Sequence, residues 1–259
     1  MGEVTAQALA FLLGAAFCAG WVDAVVGGGG LIQLPALLVA CPWAAPTQIL
    51  ATNKLGSICG TTTSSITYYR RVRPDLRTAA PLAAAAFAGS AVGAVAATHI
   101  PKSAFNPIIL VALVVVGAYT LFKPSLGAVT ALRHTGWRHY GTAALIGLGV
   151  GFYDGALGPG TGSFFVFALV GLLGYAFLEA SAKAKLANLA TNLAALVVFI
   201  PHGAVMWQLG LAMGAANVAG GYIGARTAVA RGAGFVRVVF IVVVGGFIVR
   251  IGGQMLGWW

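Results

Sequence analysis

Apolar residues fall in long blocks separated by short polar or glycine-rich breaks. The blocks run Thr5 to Val25, Leu31 to Cys41, Pro46 to Tyr69, Thr78 to Thr98 and Ala104 to Phe122. A polar linker, Lys123 to His139, follows. The second set is Tyr140 to Leu157, Gly162 to Phe177, Ala180 to Ile200, Val205 to Ala228 and Phe235 to Ile251. Most blocks have the roughly 20 residues that a helical span needs, while Leu31 to Cys41 and Gly162 to Phe177 are shorter. The pattern predicts an all-α, polytopic helical membrane protein of ten segments. The short segments either cross fully or dip in and return as re-entrant hairpins.

Two breaks stand out. In Asp23-AVVGGG-Gly30 an apolar segment carries a carboxylate and then meets four consecutive glycines. Glycine gives up the most backbone entropy in a helix, so the chain is expected to unwind at Gly27 to Gly30. Unwound backbone at membrane depth survives only where protein buries it or where it lines a cavity. The second half repeats the arrangement in Asp154-GALGPGT-Gly162, predicting a second broken or re-entrant helix at Gly158 to Gly162.

Sliding the chain on itself by 131 residues makes the repetition explicit. Gly20 falls on Gly151, Asp23 on Asp154, Gly27 on Gly158 and Gly29 on Gly160. Lys54 falls on Lys185, and Gly89 and Gly93 fall on Gly220 and Gly224. Glycine coincidences come cheaply in a chain with 37 glycines; a match of two of its five acidic residues does not. The halves are residues 1–123 and 139–259, joined by a linker at 124–138.

Composition agrees with the pattern. The chain is 59% hydrophobic and 8% charged, against about a quarter charged in soluble domains. Its net charge of +10 would suggest nucleic acid in a soluble protein. Here the basic residues collect in loops, as they do on the cytoplasmic side of membrane proteins. Arg70 to Arg77 is the most basic loop, whereas its repeat mate, Pro201 to Gln208, has neither Lys nor Arg. The linker (Lys123, Arg133, Arg138) and the region of Arg226, Arg231 and Arg237 should be cytoplasmic as well. These assignments fit two inverted repeats of about five segments each, with both termini extracytoplasmic, the plan of an inverted-repeat transporter. The first segment has no basic residue ahead of it, so it reads as a retained helix and not a signal peptide.

Three constellations could carry chemistry. Glycine-rich chain precedes an apolar helix at Gly27, Gly28, Gly29, Gly30 and Leu31, and again at Gly158, Gly160, Thr161, Gly162 and Ser163. Helix N-termini offer free N–H donors and a positive dipole end, which suit an anion; the alternative is close helix packing. Next, Lys54, Ser57, Thr61 and Ser64 share one helix face, as do Lys185, Asn188 and Asn192. An amine followed by hydrogen-bonding side chains suits a tetrahedral oxyanion. The alternative is that each lysine reaches back to the headgroups, as is expected of Lys183. Finally, Asp23 and Asp154 suit a proton relay, pairing with the lysines, helix capping or cation coordination. Cys18, Cys41 and Cys59 read as packing residues, and the four histidines as surface or interfacial. No metal-ligand spacing and no HExxH or GxSxG motif occurs, so neither a metal, a cofactor nor an enzyme is expected.

AGWVDAVVGGGGLIQLPAL and ATNKLGS, with their echoes GFYDGALGPGTGSF and ASAKAKLAN, resemble the TauE/SafE sulfite exporters, also called the toluene sulfonate uptake permease family. The resemblance spans essentially the whole chain. It implies a secondary carrier in the bacterial inner membrane for sulfite or sulfonates such as sulfoacetate and taurine-related compounds. Pro159 and Thr161 depart from the glycines of the first half. The expected partners are a small anion, the lipid bilayer and a coupling proton or cation; a homodimer is allowed and nucleic acid is not expected. An anion channel or a carrier of small carboxylates are the alternatives.

Overall fold

The computed structural model describes residues 5–97, 127 and 129–255. The predicted block Ala104 to Phe122, together with His99, Trp258 and Trp259, lies outside the described residues. The first half holds α1 (Ala6–Val26), α2 (Gly30–Ala40), α3 (Pro46–Val72) and α4 (Leu76–Ala97). The second holds α5 (Gly136–Ala156), α6 (Thr161–Ala168), α7 (Phe177–Phe199) and α8 (Trp207–Met255). A five-residue π-helical turn, Leu169–Leu173, extends α6. The described residues contain no strand.

Local chemistry sets the helix ends. Thr5 caps α1 by accepting from the Ala8 N–H at 3.2 Å, which satisfies one of the unpaired amides of the first turn. Pro46 opens α3, where its missing N–H costs nothing, and the Gln48 side chain accepts from the Ala45 N–H at 2.9 Å. Glu179 lies in the first turn of α7, where a negative charge is favourable. The predicted segments Val205 to Ala228 and Phe235 to Ile251 are present as two helical stretches of α8 that meet at Gly232, whose φ of 74° breaks the helix, so the connection between them is a kink and not an extended loop.

Three described helices are long and apolar enough to cross a membrane by composition, namely α1, α4 and α7. Helix α3 is longer still, but Thr52, Asn53, Lys54, Thr61, Ser64 and Ser65 lower its hydropathy. All six are buried against protein, so α3 does not show them to lipid.

The helices pack across the halves. α4 lies along α5, and α1 along α8. Backbone meets backbone at glycines: a Cβ on Gly89 would sit 2.3 Å from Leu148 O, and one on Gly93 2.1 Å from Phe152 O. The counterparts 131 positions away are Gly220 against Phe17 O at 2.0 Å and Gly224 against Trp21 O at 2.6 Å. Likewise Gly151 meets Ala86 O, and Gly20 meets Asn217 O. Small residues permit this approach where no hydrophobic drive pulls helices together in lipid.

Two apolar clusters flank the middle of the bundle. Leu82, Phe165, Leu169, Phe177 and Phe240 belong to one; Leu12, Leu37, Ile49, Phe199 and Met213 belong to the other. Long helices pass from one cluster to the other. On α7, Ala187 belongs to the first and Ala195 to the second. Asn188 and Asn192 fall between them, which places polar side chains at mid-helix.

Two expectations about polar residues are corrected. Lys183 does not reach outward: it is 2% exposed, with Nζ 3.9 Å from the Tyr175 ring centroid, so a cation–π contact replaces part of its hydration. His139 is buried as well, within hydrogen-bond distance of Thr78 Oγ1 (2.9 Å) and the Tyr175 hydroxyl (3.0 Å).

Gly151→Val should lower the melting temperature sharply, because its Cβ would lie 2.4 Å from Ala86 O; overpacking costs on the order of 1–3 kcal/mol. Gly149→Val, on the same helix with nothing within 4 Å, should melt near wild type. Thermal unfolding in detergent checks the pair.

Candidate functional site

Helix α1 ends at Val26, and Gly27 turns the chain with φ 82°. Helix α2 then starts at Gly30. In the second half α5 ends at Ala156, Gly158 and Gly160 take φ 87° and 79°, and α6 starts at Thr161. L-residues with a Cβ rarely adopt such angles, so glycine fits these turns. Both predicted breaks are therefore present, each followed by a helix start; at the first, the Leu31 and Ile32 N–H groups donate back to Gly28 O and Gly29 O.

The two breaks touch. A Cβ on Gly27 would lie 2.2 Å from the Gly162 carbonyl carbon, and one on Gly162 2.4 Å from Gly27 Cα. The Ser163 N–H donates to Gly27 O at 3.1 Å, and the Ser163 hydroxyl donates to Val26 O at 2.9 Å. Two tyrosines pin the flanks: Tyr68 OH donates to Ala24 O at 3.0 Å, and Tyr153 OH to Pro159 O at 2.7 Å. Carbonyls freed by unwinding thus find donors inside the protein.

The charged residues pair across the halves. Lys54 Nζ donates to Asp154 Oδ2 at 2.6 Å, with the two side chains 3% and 6% exposed. Lys185 Nζ donates to Asp23 Oδ2 at 2.9 Å and also to the Asp23 carbonyl. The Lys185 side chain is 0% exposed and that of Asp23 18%. Under the 131-residue shift each pair becomes the other. These are the ion pairs of the described residues.

Around them lies a cavity of about 20 Å³, room for about one water. Its wall contains Asp23, Gly27, Gly30, Lys54, Ser57, Thr61, Asp154, Gly158, Gly160, Thr161, Gly162, Asn188 and Asn192. Thirteen of the nineteen residues singled out by sequence thus line one space. The other six do not: Ser64 is buried on α3 with its hydroxyl donating to Thr61 O. Lys185 sits beneath Asp23, Ser163 is tied to the first break, and Leu31 joins an apolar cluster. Gly29 packs against Ala19 O, where a Cβ would lie at 2.5 Å; Gly28 is absent from the lining.

Sequence reasoning missed Asn53, which lines the cavity. The 131-residue shift places it on Ala184, so a search for matched polar positions passes over it. It also missed the support behind Asn53: Gln33 Nε2 donates to Asn53 O at 3.3 Å, and Asn217 Nδ2 to Gln33 Oε1 at 2.8 Å. The side-chain oxygens of Asn53 and Asn188 are buried without a protein partner, an arrangement that bound water or substrate could satisfy. Among the described residues no group of three His, Cys, Asp or Glu side chains could hold a metal. Chemically, the site presents the Lys54 amine, the Asn53, Asn188 and Asn192 amides, the Ser57 and Thr61 side chains and both glycine turns to one space, with Asp154 already on that amine and Asp23 on Lys185 behind the wall.

Comparison with known proteins gives a consistent picture. The family model "Sulfite exporter TauE/SafE" matches residues 12–251. A "Probable membrane transporter protein ORF9" of Sinorhizobium sp is 38% identical over 94% of this chain and 92% of its own length. A "Probable membrane transporter protein" of Haemophilus influenzae is 33% identical over 93% and 92%. The "Probable membrane transporter protein YfcA" of Escherichia coli K12 is 35% identical over 91% and 86%. No solved structure matches the chain.

Lys54→Met alone should destabilise the protein by about 3–5 kcal/mol, because it strands a buried carboxylate. Adding Asp154→Leu should recover most of that loss, because it removes the stranded charge. Chemical unfolding of the two single variants and the double variant gives the coupling directly.

Proposed function

The chain belongs to the sulfite exporter TauE/SafE family and is a multi-pass membrane transporter; from that premise we propose that it is a secondary carrier of small anionic sulfur compounds. The substrates in this reading are sulfite and sulfonates such as sulfoacetate or taurine-related compounds, and the membrane is the bacterial inner membrane. The observation that carries it is the meeting of two buried lysine–carboxylate pairs and two broken helices at one cavity.

The charge balance supports coupling to protons. Two lysines and two aspartates sum to zero, so the resting site is neutral. An incoming oxyanion competes with Asp154 and Asp23 for the amines. Displacing a carboxylate from its lysine strands a charge in a poorly solvated site unless a cation or proton arrives with the anion. Each anion bound at an amine then brings a proton to the displaced carboxylate, and the pair crosses without stranding charge. Ser57, Thr61, Asn188 and Asn192 supply further donors on the two lysine-bearing helix faces.

A tetrahedral oxyanion is larger than a water, so binding requires the touching breaks to part. That need suits a carrier in a closed form better than a standing pore. Alternating access in this reading moves one half, residues 1–123, against the other, residues 139–259, with the linker at 124–138 cytoplasmic. The halves are inverted relative to one another and both termini are extracytoplasmic, as the unequal loop charges suggest.

Proteoliposomes test the reading. Wild type should exchange labelled sulfite in counterflow, and an inward proton gradient should accelerate its uptake. Lys54→Gln combined with Asp154→Asn keeps the site neutral and close in shape, and should fold yet transport at least tenfold more slowly. Wild-type rates in this double variant would refute the assignment. Sulfite, thiosulfate, sulfonates, carboxylates and phosphate compared by thermal shift should show the sulfur anions stabilising most; a larger shift from carboxylates would move the substrate class.

A further inference from the structure

A second polar feature lies away from the central cavity, on the outer surface where α3 meets α8. A groove of about 310 Å³ runs there, walled by Ile66, Arg70, Arg71, Tyr222 and Arg226. Ile66 and Tyr222 are 48% and 45% exposed on the face of the bundle. The groove is thus apolar along its length and cationic at the end where α3 leaves the helical bundle. An adjoining groove of about 510 Å³ shares Arg70 and adds Tyr69 and Arg73.

The hydrogen-bonding state of these walls selects an anion. Thr63 and Thr67 also line the groove, but their hydroxyls already donate to Cys59 O and Thr63 O. Arg226 Nη1 donates to Tyr222 OH at 2.9 Å, which leaves the tyrosine's own proton to donate outward. Among the described residues none of Arg70, Arg71 and Arg226 has a carboxylate partner. Arg73 closes α3 with φ 51°, a conformation that costs a residue with a Cβ, and it lines the adjoining groove.

The duplicated half offers an internal comparison. The positions equivalent to Arg70, Arg71 and Arg226 are Pro201, His202 and Val95. The small-residue contacts recur at equivalent positions, whereas none of these three guanidiniums has an arginine at its equivalent position. A need for positive charge in loops accounts for arginines somewhere at this end. It does not account for three of them, with a tyrosine donor, around one groove that opens on an apolar face.

We propose that the α3–α8 groove binds an anionic phospholipid, with the phosphodiester held by Arg70, Arg71, Arg226 and Tyr222 and an acyl chain lying along Ile66. The order of chemistry along the groove, apolar and then cationic, is the order along a phospholipid. Basic pockets between membrane helices bind such headgroups through the same guanidinium–phosphate geometry. The groove is separate from the central cavity, and its occupancy does not depend on which anion is transported.

The test uses the full-length protein in detergent, with thermal unfolding as the readout. Phosphatidylglycerol should raise the melting temperature of wild type, whereas phosphatidylcholine and inorganic phosphate should not. The shift should vanish in R70Q/R71Q/R226Q and persist in R77Q/R133Q/R138Q, which removes the same charge from exposed positions outside the groove. Equal shifts in the two triple variants would overturn the proposal in favour of diffuse attraction. A shift with phosphate alone would overturn the lipid assignment and leave a small-anion site. Native mass spectrometry of wild type with both lipids present gives a readout that needs no variant. Preferential retention of phosphatidylglycerol is expected, and equal retention would contradict the proposal.

Discussion

A lysine ammonium shut away from water needs an electrostatic partner, and two of the buried lysines find a carboxylate in the opposite half of the chain. Lys54 on α3 meets Asp154 on α5, and Lys185 on α7 meets Asp23 on α1. Desolvating such ions costs several kcal/mol each, which only close pairing offsets. Neither half can satisfy its own lysine through these contacts, so the two must dock for either to be stable. The same crossing recurs in the packing, where α1 lies along α8 and α4 along α5. An ion pair that holds two halves together is also one that a competing anion can loosen, and this links the stability of the bundle to its proposed cycle.

The glycines set how near the pairs can come. Because Gly27 and Gly162 have no Cβ, the two unwound segments lie backbone to backbone. Ser163 then reaches across the break to Val26 and Gly27, and Tyr68 and Tyr153 hold the flanking carbonyls. Irregular backbone at this depth is tolerated because every side of it is protein or cavity. The cavity is small because these contacts are closed. Enlarging it for a sulfur oxyanion must part the breaks, so substrate binding and movement of the halves are coupled in the proposed mechanism.

Much of this arrangement could be read from sequence, because duplication marks the residues whose chemistry is repeated. Asp23, Asp154, Lys54 and Lys185 stand out as matched charges in apolar blocks, and the glycine runs stand out as breaks that a helix cannot absorb. Pattern alone left open which lysine meets which aspartate, since an offset relates equivalent positions and says nothing of contact. It also passed over Asn53, which has an alanine as its equivalent, and Gln33 and Asn217, whose roles come from packing. Lys183 illustrates a different limit. A lysine near a helix end ordinarily reaches for the headgroups, but Tyr175 lies over its amine, and nothing local to either residue announces that contact. Gly232 illustrates a third, because one glycine broke α8 without producing the loop that its basic surroundings suggested.

The displacement of a carboxylate from a lysine by the incoming anion is the central claim, and infrared difference spectroscopy observes it directly. Purified protein would be recorded with and without sulfite, alongside Asp23→Asn and Asp154→Asn. The account predicts loss of ionised-carboxylate absorption and gain of a protonated-acid band on binding, with each change diminished in the matching variant. Sulfite binding that leaves the carboxylate bands of wild type unchanged would contradict it.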